Sequence, residues 1–241
     1  MRGELRAYIN SDFIKEVRDF KLRHPGPMPQ SDDWSEDSDD VPEHNPIFEA
    51  VPRIAERHGV GIIGHGAERV ILPYPNDPTK IVAIHYGRTS PVIARLTYYS
   101  HRFFHHLFPQ HFPRTYAIFG SEFDDRDRPS GSIRQRIYPN EPVTKEQILD
   151  GPFKRLAREC TNLGIFLRLD YSRGNFMNGT DGNFYYLEEM HSGSMPFERD
   201  RGRIENYIAA NGFPSSQERH VLGSFDTFFR LQKDFYRNLG L

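Results

Sequence analysis

The sequence predicts an α+β protein, because strand-like segments come early in the chain and helical segments dominate its later part. Three observations carry this prediction: the β-branched apolar run "TKIVAIHY", the helical spacing of apolar residues in "SPVIARLTYYSHRFFHHLF", and an Asp181-Gly182 turn between apolar flanks. The predicted order is a helix, three strands, a helix, two strands, a helical region, a strand-like turn, a hairpin and further helices.

The first 46 residues divide into a predicted helix and a predicted linker. Residues 1–23 have apolar side chains at helical spacing, with a break near Ser11, and are predicted to form an amphipathic helix. Residues 24–46 combine five prolines with a dense acidic run from Asp32 to Glu43. Such a composition buries little apolar surface and repels itself, so a solvated linker is predicted, although an acidic run can also bind a basic partner.

Turn and capping residues predict where the helices and strands farther along the chain begin and end. A helix that starts near residue 47 is predicted to end at Gly59, and "VGIIGHGAERVILPYP" has the pattern of two strands joined by a turn. The stretches "RTYAIFGSEF" and "GSIRQRIYP" are predicted to form a second strand pair. Thr144 is predicted to cap a helix in "TKEQILD", and Gly164 is predicted to end the helix in "PFKRLARECTNLG".

Composition excludes several classes of protein. The chain of 241 residues is long enough for one substantial core or two lobes, and its net charge of −2 gives no basic surface of the kind that binds nucleic acid. The single cysteine, Cys160, excludes an intramolecular disulfide. No apolar run is long enough to cross a membrane, and the N-terminus lacks a signal-peptide pattern. We therefore expect a soluble, cytoplasmic protein, with leaderless export or delivery into a host cell as the open alternative.

The stretch "LRLDYSRGNF" at residues 167–176 carries the clearest chemical pattern. Asp170 and Asn175 are five residues apart, in a segment that begins like a buried strand and ends like a loop. Phosphoryl transfer needs a carboxylate facing the acceptor hydroxyl and a metal ligand beside the phosphates, and a loop of this length can supply both. An ordinary turn with an Asx-type cap has the same pattern, so the motif alone leaves both interpretations open.

Three further stretches add to this pattern. Glu188 follows Asn175 by thirteen residues, after the predicted hairpin, and its carboxylate oxygens suit Mg²⁺. Gly64 and Gly66 stand in a turn between two strands, where backbone N–H groups can approach a phosphate because glycine has no Cβ. The third strand contains Val-Ala-Ile-His at residues 82–85.

Together these stretches resemble the protein kinase-like superfamily over residues 58–190, with a catalytic loop similar to that of its small-molecule kinases. The resemblance implies a compact two-lobed fold, with a β-rich N-lobe at residues 47–137 and a short helical C-lobe at 138–241. It also implies an ATP-dependent phosphotransferase that moves the γ-phosphate of ATP to a hydroxyl group. ATP is then the nucleotide partner and Mg²⁺ the metal cofactor.

The resemblance implies a role for each matching residue. Asp170 would orient the acceptor hydroxyl, and Asn175 and Glu188 would hold Mg²⁺. The implied nucleotide-binding residues belong to the glycine turn, the third strand and a hinge formed by "RIYPNEP": Gly64, Gly66, Ala83, His85, Gln135 and Ile137. Within the hinge, backbone groups from Gln135 to Tyr138 would meet adenine.

The third strand departs from the kinase pattern. His85 stands where the family has a phosphate-binding lysine, and alternation along the strand predicts that Lys80 points to the opposite face. No Asp or Glu occurs between His85 and Glu122, so the family's Lys–Glu ion pair is absent. Two alternatives therefore stay open: a pseudokinase that binds nucleotide or serves as a scaffold, and an unrelated α+β interaction domain. The sequence does not indicate whether the acceptor is a protein or a small molecule.

Overall fold

The computed structural model describes residues 11–24, 46–66, 69–86, 91–119, 130–165, 173–187 and 201–238. In these ranges the chain is a mixed α+β protein built on a five-stranded antiparallel sheet, which agrees with the predicted α+β class. Several predicted features lie outside the described residues, among them Asp170, Glu188, the first ten residues of the predicted N-terminal helix, and the linker between His24 and Pro46.

The described elements follow the predicted order along the chain. Helices α1 and α2 come first, at Asp12–Arg23 and Ile47–Arg57. The sheet contains β1 (Gly64–His65), β2 (Arg69–Pro73), β3 (Lys80–His85), β4 (Thr115–Phe119) and β5 (Gly131–Gln135), with helix α3 (Pro91–Leu107) between β3 and β4. The later elements are α4 (Lys145–Leu149), α5 (Pro152–Asn162), a 3-10 turn (Arg173–Asn175), β6 (Phe176–Asn178), β7 (Phe184–Tyr186), α6 (Arg201–Ala210) and α7 (Ser215–Asn238).

Local signals explain several of these boundaries. Helix α1 begins at the predicted break, because the Ser11 side chain accepts a hydrogen bond from the backbone N–H of Ile14. Thr144 caps α4 as predicted, and Gln147 completes a reciprocal capping box. Gly164 follows α5 with a φ of 73°, a left-handed conformation that glycine adopts without strain.

The sheet has the strand order β1-β2-β3-β5-β4, and one of its faces packs against α1 and α2. We call this the first face. It contributes Val70, Leu72, Val82 and Ile84 to a buried core that also contains Phe13, Ile14 and Val17 from α1 and Ile47, Val51 and Ile54 from α2. Helix α1, predicted as a separate N-terminal segment, is therefore part of the same core as the sheet.

A second core lies in the C-terminal half of the chain and is mainly aromatic. Helix α3 contributes Phe103, Phe104 and Leu107 to it, and Cys160 of α5 is fully buried there. The Phe153 ring contacts the rings of four neighbours: Phe112, Phe176, Phe184 and Tyr186. Helix α3, which the kinase resemblance assigns to the N-lobe, thus packs into the core of the later half and along α7. None of the helices in the described ranges combines the length and apolar character that crossing a bilayer requires.

Candidate functional site

The face of the sheet opposite α1 and α2, the second face, carries several of the predicted nucleotide residues. Gly64 pairs with Ile71, Ile71 pairs with Ala83, and Ala83 pairs with Ser132. Residues directly opposite each other in an antiparallel sheet point to the same side. Gly64 and Ala83 therefore lie in one row across β1, β2, β3 and β5, on the side away from the core of α1 and α2.

The glycine turn between β1 and β2 is closed by a backbone hydrogen bond. The N–H of Gly66 donates to the carbonyl oxygen of Arg69 at 2.9 Å. Neither Gly64 nor Gly66 has a positive φ, and a Cβ added to either would meet no described atom within 4 Å. Neither backbone strain nor packing against described atoms therefore requires glycine at these two positions.

His65, between the two glycines, belongs to the first face. Its ring lies 5.8 Å from the ring of Phe48 in α2, as expected from alternation along β1. Burial lowers the pKa of His65, and its Nδ1 has no hydrogen-bond partner among the described residues. His65 therefore acts as a neutral contact that joins the glycine turn to α2.

Arg69 and His85 are cross-strand neighbours on the second face. The backbone N–H of His85 donates to the carbonyl oxygen of Ser130 at 2.9 Å, so the end of β3 is held against the chain entering β5. His85 is on the same side of the sheet as Ala83. Sequence reasoning missed the position of Arg69 beside it, because the register of a hairpin depends on the conformation of its turn.

Lys80 is held away from this face. Its amine lies 2.6 Å from a carboxylate oxygen of Asp77, and this hydrogen bond raises the pKa of Lys80. The amine also lies 5.7 Å from the ring centroid of Tyr74 and 4.9 Å from that of Tyr116. Tyr74 packs against the core of α1 and α2. Lys80 is therefore on the opposite side of the strand from Ala83 and His85, where alternation predicts it.

The first two residues of the predicted hinge use their backbone N–H groups inside the protein. The backbone N–H of Gln135 donates to the carbonyl oxygen of Arg114 at 2.7 Å. In return, the side-chain oxygen of Gln135 accepts from the backbone N–H of Arg114 at 3.1 Å. The N–H of Arg136 donates to the carbonyl oxygen of Thr79 at 2.8 Å. These two N–H groups are engaged in holding β5 to its neighbours and do not offer a hydrogen bond to a base.

Ile137 differs from the two hinge residues before it in its backbone hydrogen bonding. The carbonyl oxygen of Tyr138 accepts from the N–H of Thr180 at 3.0 Å, whereas the backbone N–H and C=O of Ile137 form no hydrogen bond within the described part of the chain. Ile137 also lines a cavity of about 300 Å³ between the hinge, β4 and the β6–β7 turn.

The two ends of the β6–β7 hairpin meet at Asn175. The N–H of Leu187 donates to the carbonyl oxygen of Asn175 at 2.7 Å, although the two residues are twelve positions apart. Leu187 directly precedes Glu188 in the sequence. The guanidinium of Arg134 in β5 donates to the carbonyl oxygen of Leu187, also at 2.7 Å, and only 5% of Arg134 is exposed. Sequence reasoning missed Arg134, because arginine in a strand pattern is ordinarily assigned to the solvent side.

The chemistry at Asn175 suits a hard cation. Its carboxamide oxygen and a carboxylate such as that of Glu188 are ligands that Mg²⁺ accepts. Elsewhere, the described His, Cys, Asp and Glu side chains form no group of three or more that could hold a metal ion. Of the two predicted Mg²⁺ ligands, Asn175 and Glu188, the structure describes only Asn175.

No protein-family model matches this chain, and a search of curated proteins also gives no match.

Proposed function

We propose that the protein is a divergent ATP-dependent phosphotransferase that transfers the γ-phosphate to a hydroxyl group of a protein or small molecule. The observation that supports this best is the 2.7 Å hydrogen bond from the Leu187 N–H to the Asn175 carbonyl. It brings the residue before Glu188 beside the Asn of the Asp-x-x-x-x-Asn motif. A kinase-like two-lobed fold is part of the proposal, and the antiparallel sheet with α3 between β3 and β4 supports it.

In this proposal the nucleotide lies against the second face of the sheet. The backbone at Gly64 and Gly66 approaches the phosphates, and Ala83 and the Ile137 peptide contact adenine. Arg69 and His85, side by side on this face, contribute positive charge towards the phosphates. Of the two, Arg69 supplies a fixed positive charge, because a guanidinium stays protonated at neutral pH.

The transfer step is assigned to the motif at residues 170–175. Asp170 orients the acceptor hydroxyl and accepts its proton as the oxygen bonds to the γ-phosphorus and the bond to the β–γ bridging oxygen breaks. Asn175 and Glu188 hold Mg²⁺, which neutralises charge on the phosphate oxygens when it is bound. Phosphoryl transfer requires little covalent chemistry from the protein. These residues therefore contribute mainly by positioning the reacting groups and by stabilising charge in the transition state.

A pseudokinase is the second candidate function, and a specific observation favours it. His85 replaces the usual lysine, Lys80 is engaged with Asp77 on the other face, and α3 contains no acidic residue. The ion pair that organises phosphates in active kinases is therefore absent. A protein of this kind would bind nucleotide without transferring phosphate, and an interaction domain unrelated to kinases would do neither.

Transfer from γ-labelled ATP, including autophosphorylation, distinguishes these functions when it is combined with a calorimetric titration of ATP with and without Mg²⁺. We expect Asp170→Ala to abolish transfer and to keep Mg-ATP binding, because Asp170 addresses the acceptor. Glu188→Ala should lose both transfer and the Mg²⁺-dependent part of binding. Asp19→Ala, at an exposed position on α1, is the matched control. Transfer that survives in Asp170→Ala would contradict the catalytic assignment.

The same titration tests the charge on the second face. His85→Lys should tighten Mg-ATP binding, because a lysine at this position supplies a full charge at neutral pH. Arg69→Met should weaken it, since the fixed charge is removed while most of the side-chain volume is kept. Wild-type protein that binds ATP but transfers no phosphate to itself or to a broad acceptor panel would favour the pseudokinase.

A further inference from the structure

A second cavity, of about 350 Å³, lies between α5 and the turn of the β6–β7 hairpin. None of its described lining residues belongs to the five-stranded sheet, so it is separate from the second face. Its volume is within the range of sites that bind small molecules. Leu156 and Phe184 give it apolar surface, and its polar lining includes His111, Arg155, Glu159 and Asn183.

His111 is fixed at this cavity with one ring nitrogen unused. Its Nδ1–H donates to the carbonyl oxygen of Phe184 at 2.9 Å, and its own carbonyl oxygen accepts from the backbone N–H of Tyr186 at 2.9 Å. Because a carbonyl oxygen can only accept, Nδ1 carries the proton and Nε2 of the neutral ring is an acceptor. This Nε2 has no hydrogen-bond partner within the described part of the chain.

Helix α5 supplies one cation and one anion near this ring. Arg155 and Glu159 are four residues apart, so they are neighbours on the helix surface. Burial lowers the pKa of His111, and of the two nearby charges Glu159 raises this pKa and Arg155 lowers it. One carboxylate oxygen of Glu159 accepts from the Tyr207 hydroxyl at 3.2 Å, which leaves the other oxygen for a ligand. Arg155 forms no hydrogen bond or ion pair with any described residue, Glu159 included.

These groups together suit a ligand that carries both a negative and a positive charge. A guanidinium binds a carboxylate through two parallel hydrogen bonds. A carboxylate and an unprotonated imidazole nitrogen both accept, so they suit an ammonium group, which has three donors. Side chains one helical turn apart have Cβ atoms about 5–6 Å from each other. The two charged groups of the ligand must therefore be close together, as they are when both are attached to one carbon.

We propose that this cavity binds a free α-amino acid with an apolar side chain. The carboxylate of the amino acid pairs with Arg155, and its ammonium group donates to Glu159 and to the Nε2 of His111. Its side chain lies against Leu156 and Phe184, which line the same cavity. The inference does not depend on the proposed phosphotransferase, because all of these residues lie outside the nucleotide site.

Calorimetric titration of the full-length protein with L-leucine, L-valine and L-phenylalanine, without ATP, tests the proposal. We expect saturable binding of at least one of the three. The amide of that amino acid lacks the carboxylate, and its N-acetyl derivative lacks the ammonium group. Each should bind at least about tenfold more weakly, because charge-assisted hydrogen bonds are lost. The absence of saturable binding for all three amino acids at millimolar concentration would overturn the proposal, and so would equal binding of the two derivatives.

Variants of α5 test the assigned contacts. Arg155→Met and Glu159→Gln should each weaken binding about tenfold and leave the melting temperature unchanged, because both side chains are exposed. Arg158→Met is the matched control, since Arg158 is exposed on the same helix and is not among the residues that line the cavity. Unchanged affinity in either Arg155→Met or Glu159→Gln would overturn the proposal. An equal loss in Arg158→Met would show an effect of charge on the whole helix and would also overturn it.

The ¹⁵N NMR signal of the His111 Nε2 tests the remaining contact in wild-type protein. We expect this signal to be that of an unprotonated nitrogen in the free protein and to shift when the amino acid is added, because the lone pair then accepts a hydrogen bond. A signal that does not move while calorimetry shows binding would mean that the amino acid binds elsewhere, and this would overturn the proposal.

Discussion

Two glycines of the sheet, Gly131 and Gly64, differ in how closely other atoms surround them. A Cβ on Gly131 would lie 2.1 Å from the carbonyl oxygen of Ala83 and 2.4 Å from the ring of Phe119. A Cβ on Gly64 would meet nothing within 4 Å among the described atoms. Gly131 is therefore required by the packing of β5 beside β3, whereas Gly64 is free of any such requirement.

We expect Gly131→Ala to lower the free energy of unfolding by about 1–3 kcal/mol, because the added methyl group forces backbone and ring apart. Gly64→Ala should change it by less than about 0.5 kcal/mol and should weaken Mg-ATP binding, since the methyl group stands where phosphates approach. Denaturant unfolding and calorimetric titration measure the two effects. Equal nucleotide affinity in Gly64→Ala and wild type would contradict the role given to the glycine turn.

The residues of the site differ in how far the sequence could predict them. Strand alternation was enough to separate Lys80 from His85, and the structure has them on opposite faces. The position of Arg134 was not predictable, because its burial depends on a carbonyl 53 residues away. Similarly, the N–H of Gln135 donates to the carbonyl oxygen of Arg114, and a local sequence pattern does not show that these two residues are neighbours.

At the scale of elements, the contact between α3 and α7 contains an unusual concentration of basic groups. The ring of His106 in α3 stacks on that of His220 in α7, with centroids 4.9 Å apart. Burial lowers the pKa of His106 to about 4, and the charges that add to this effect are all basic: His105, His220, Arg102 and Arg114. Protonation of His106 in the folded protein is therefore disfavoured both by desolvation and by repulsion from these basic groups.

The stability of the protein should fall as the pH decreases from about 6.5 towards 4. The folded pKa of His106 is lowered, so the unfolded chain takes up a proton in this range before the folded chain does, and unfolding is favoured. We expect His106→Gln to reduce the fall in melting temperature between pH 7 and pH 5. His24→Gln, at an exposed position that ends α1, is the control. An unchanged pH dependence in His106→Gln would show that other groups determine it.

Helix α3 also shows what an element's sequence does and does not predict. Its apolar spacing predicted the helix and its buried aromatic residues, and Phe103, Phe104 and Phe108 are indeed buried. The same spacing did not identify α7 as the element that packs against α3. An apolar face shows that a helix is buried on one side, but it does not show which element covers that side. The same limit applies to α1, whose apolar face was predicted without its contact to the core of the sheet.

At the scale of the whole molecule, the candidate site lies where the second face of the sheet meets the end of the β6–β7 hairpin. The sheet contributes the glycine turn, Ala83 and the Arg69–His85 pair, and the hairpin contributes Asn175 and the Leu187 peptide. The Arg134–Leu187 hydrogen bond connects the two parts. A ligand that contacts both parts would stabilise the folded protein as a unit, because it binds only when they are assembled.

Thermal unfolding with and without Mg-ATP tests the central claim, that this site binds a magnesium nucleotide. At ten times its dissociation constant, Mg-ATP should raise the free energy of unfolding by about 1.4 kcal/mol and raise the melting temperature accordingly. ATP without Mg²⁺ should give a smaller shift, because the contribution of Asn175 and Glu188 is then missing. An unchanged melting temperature at millimolar ATP, both with and without Mg²⁺, would contradict the account.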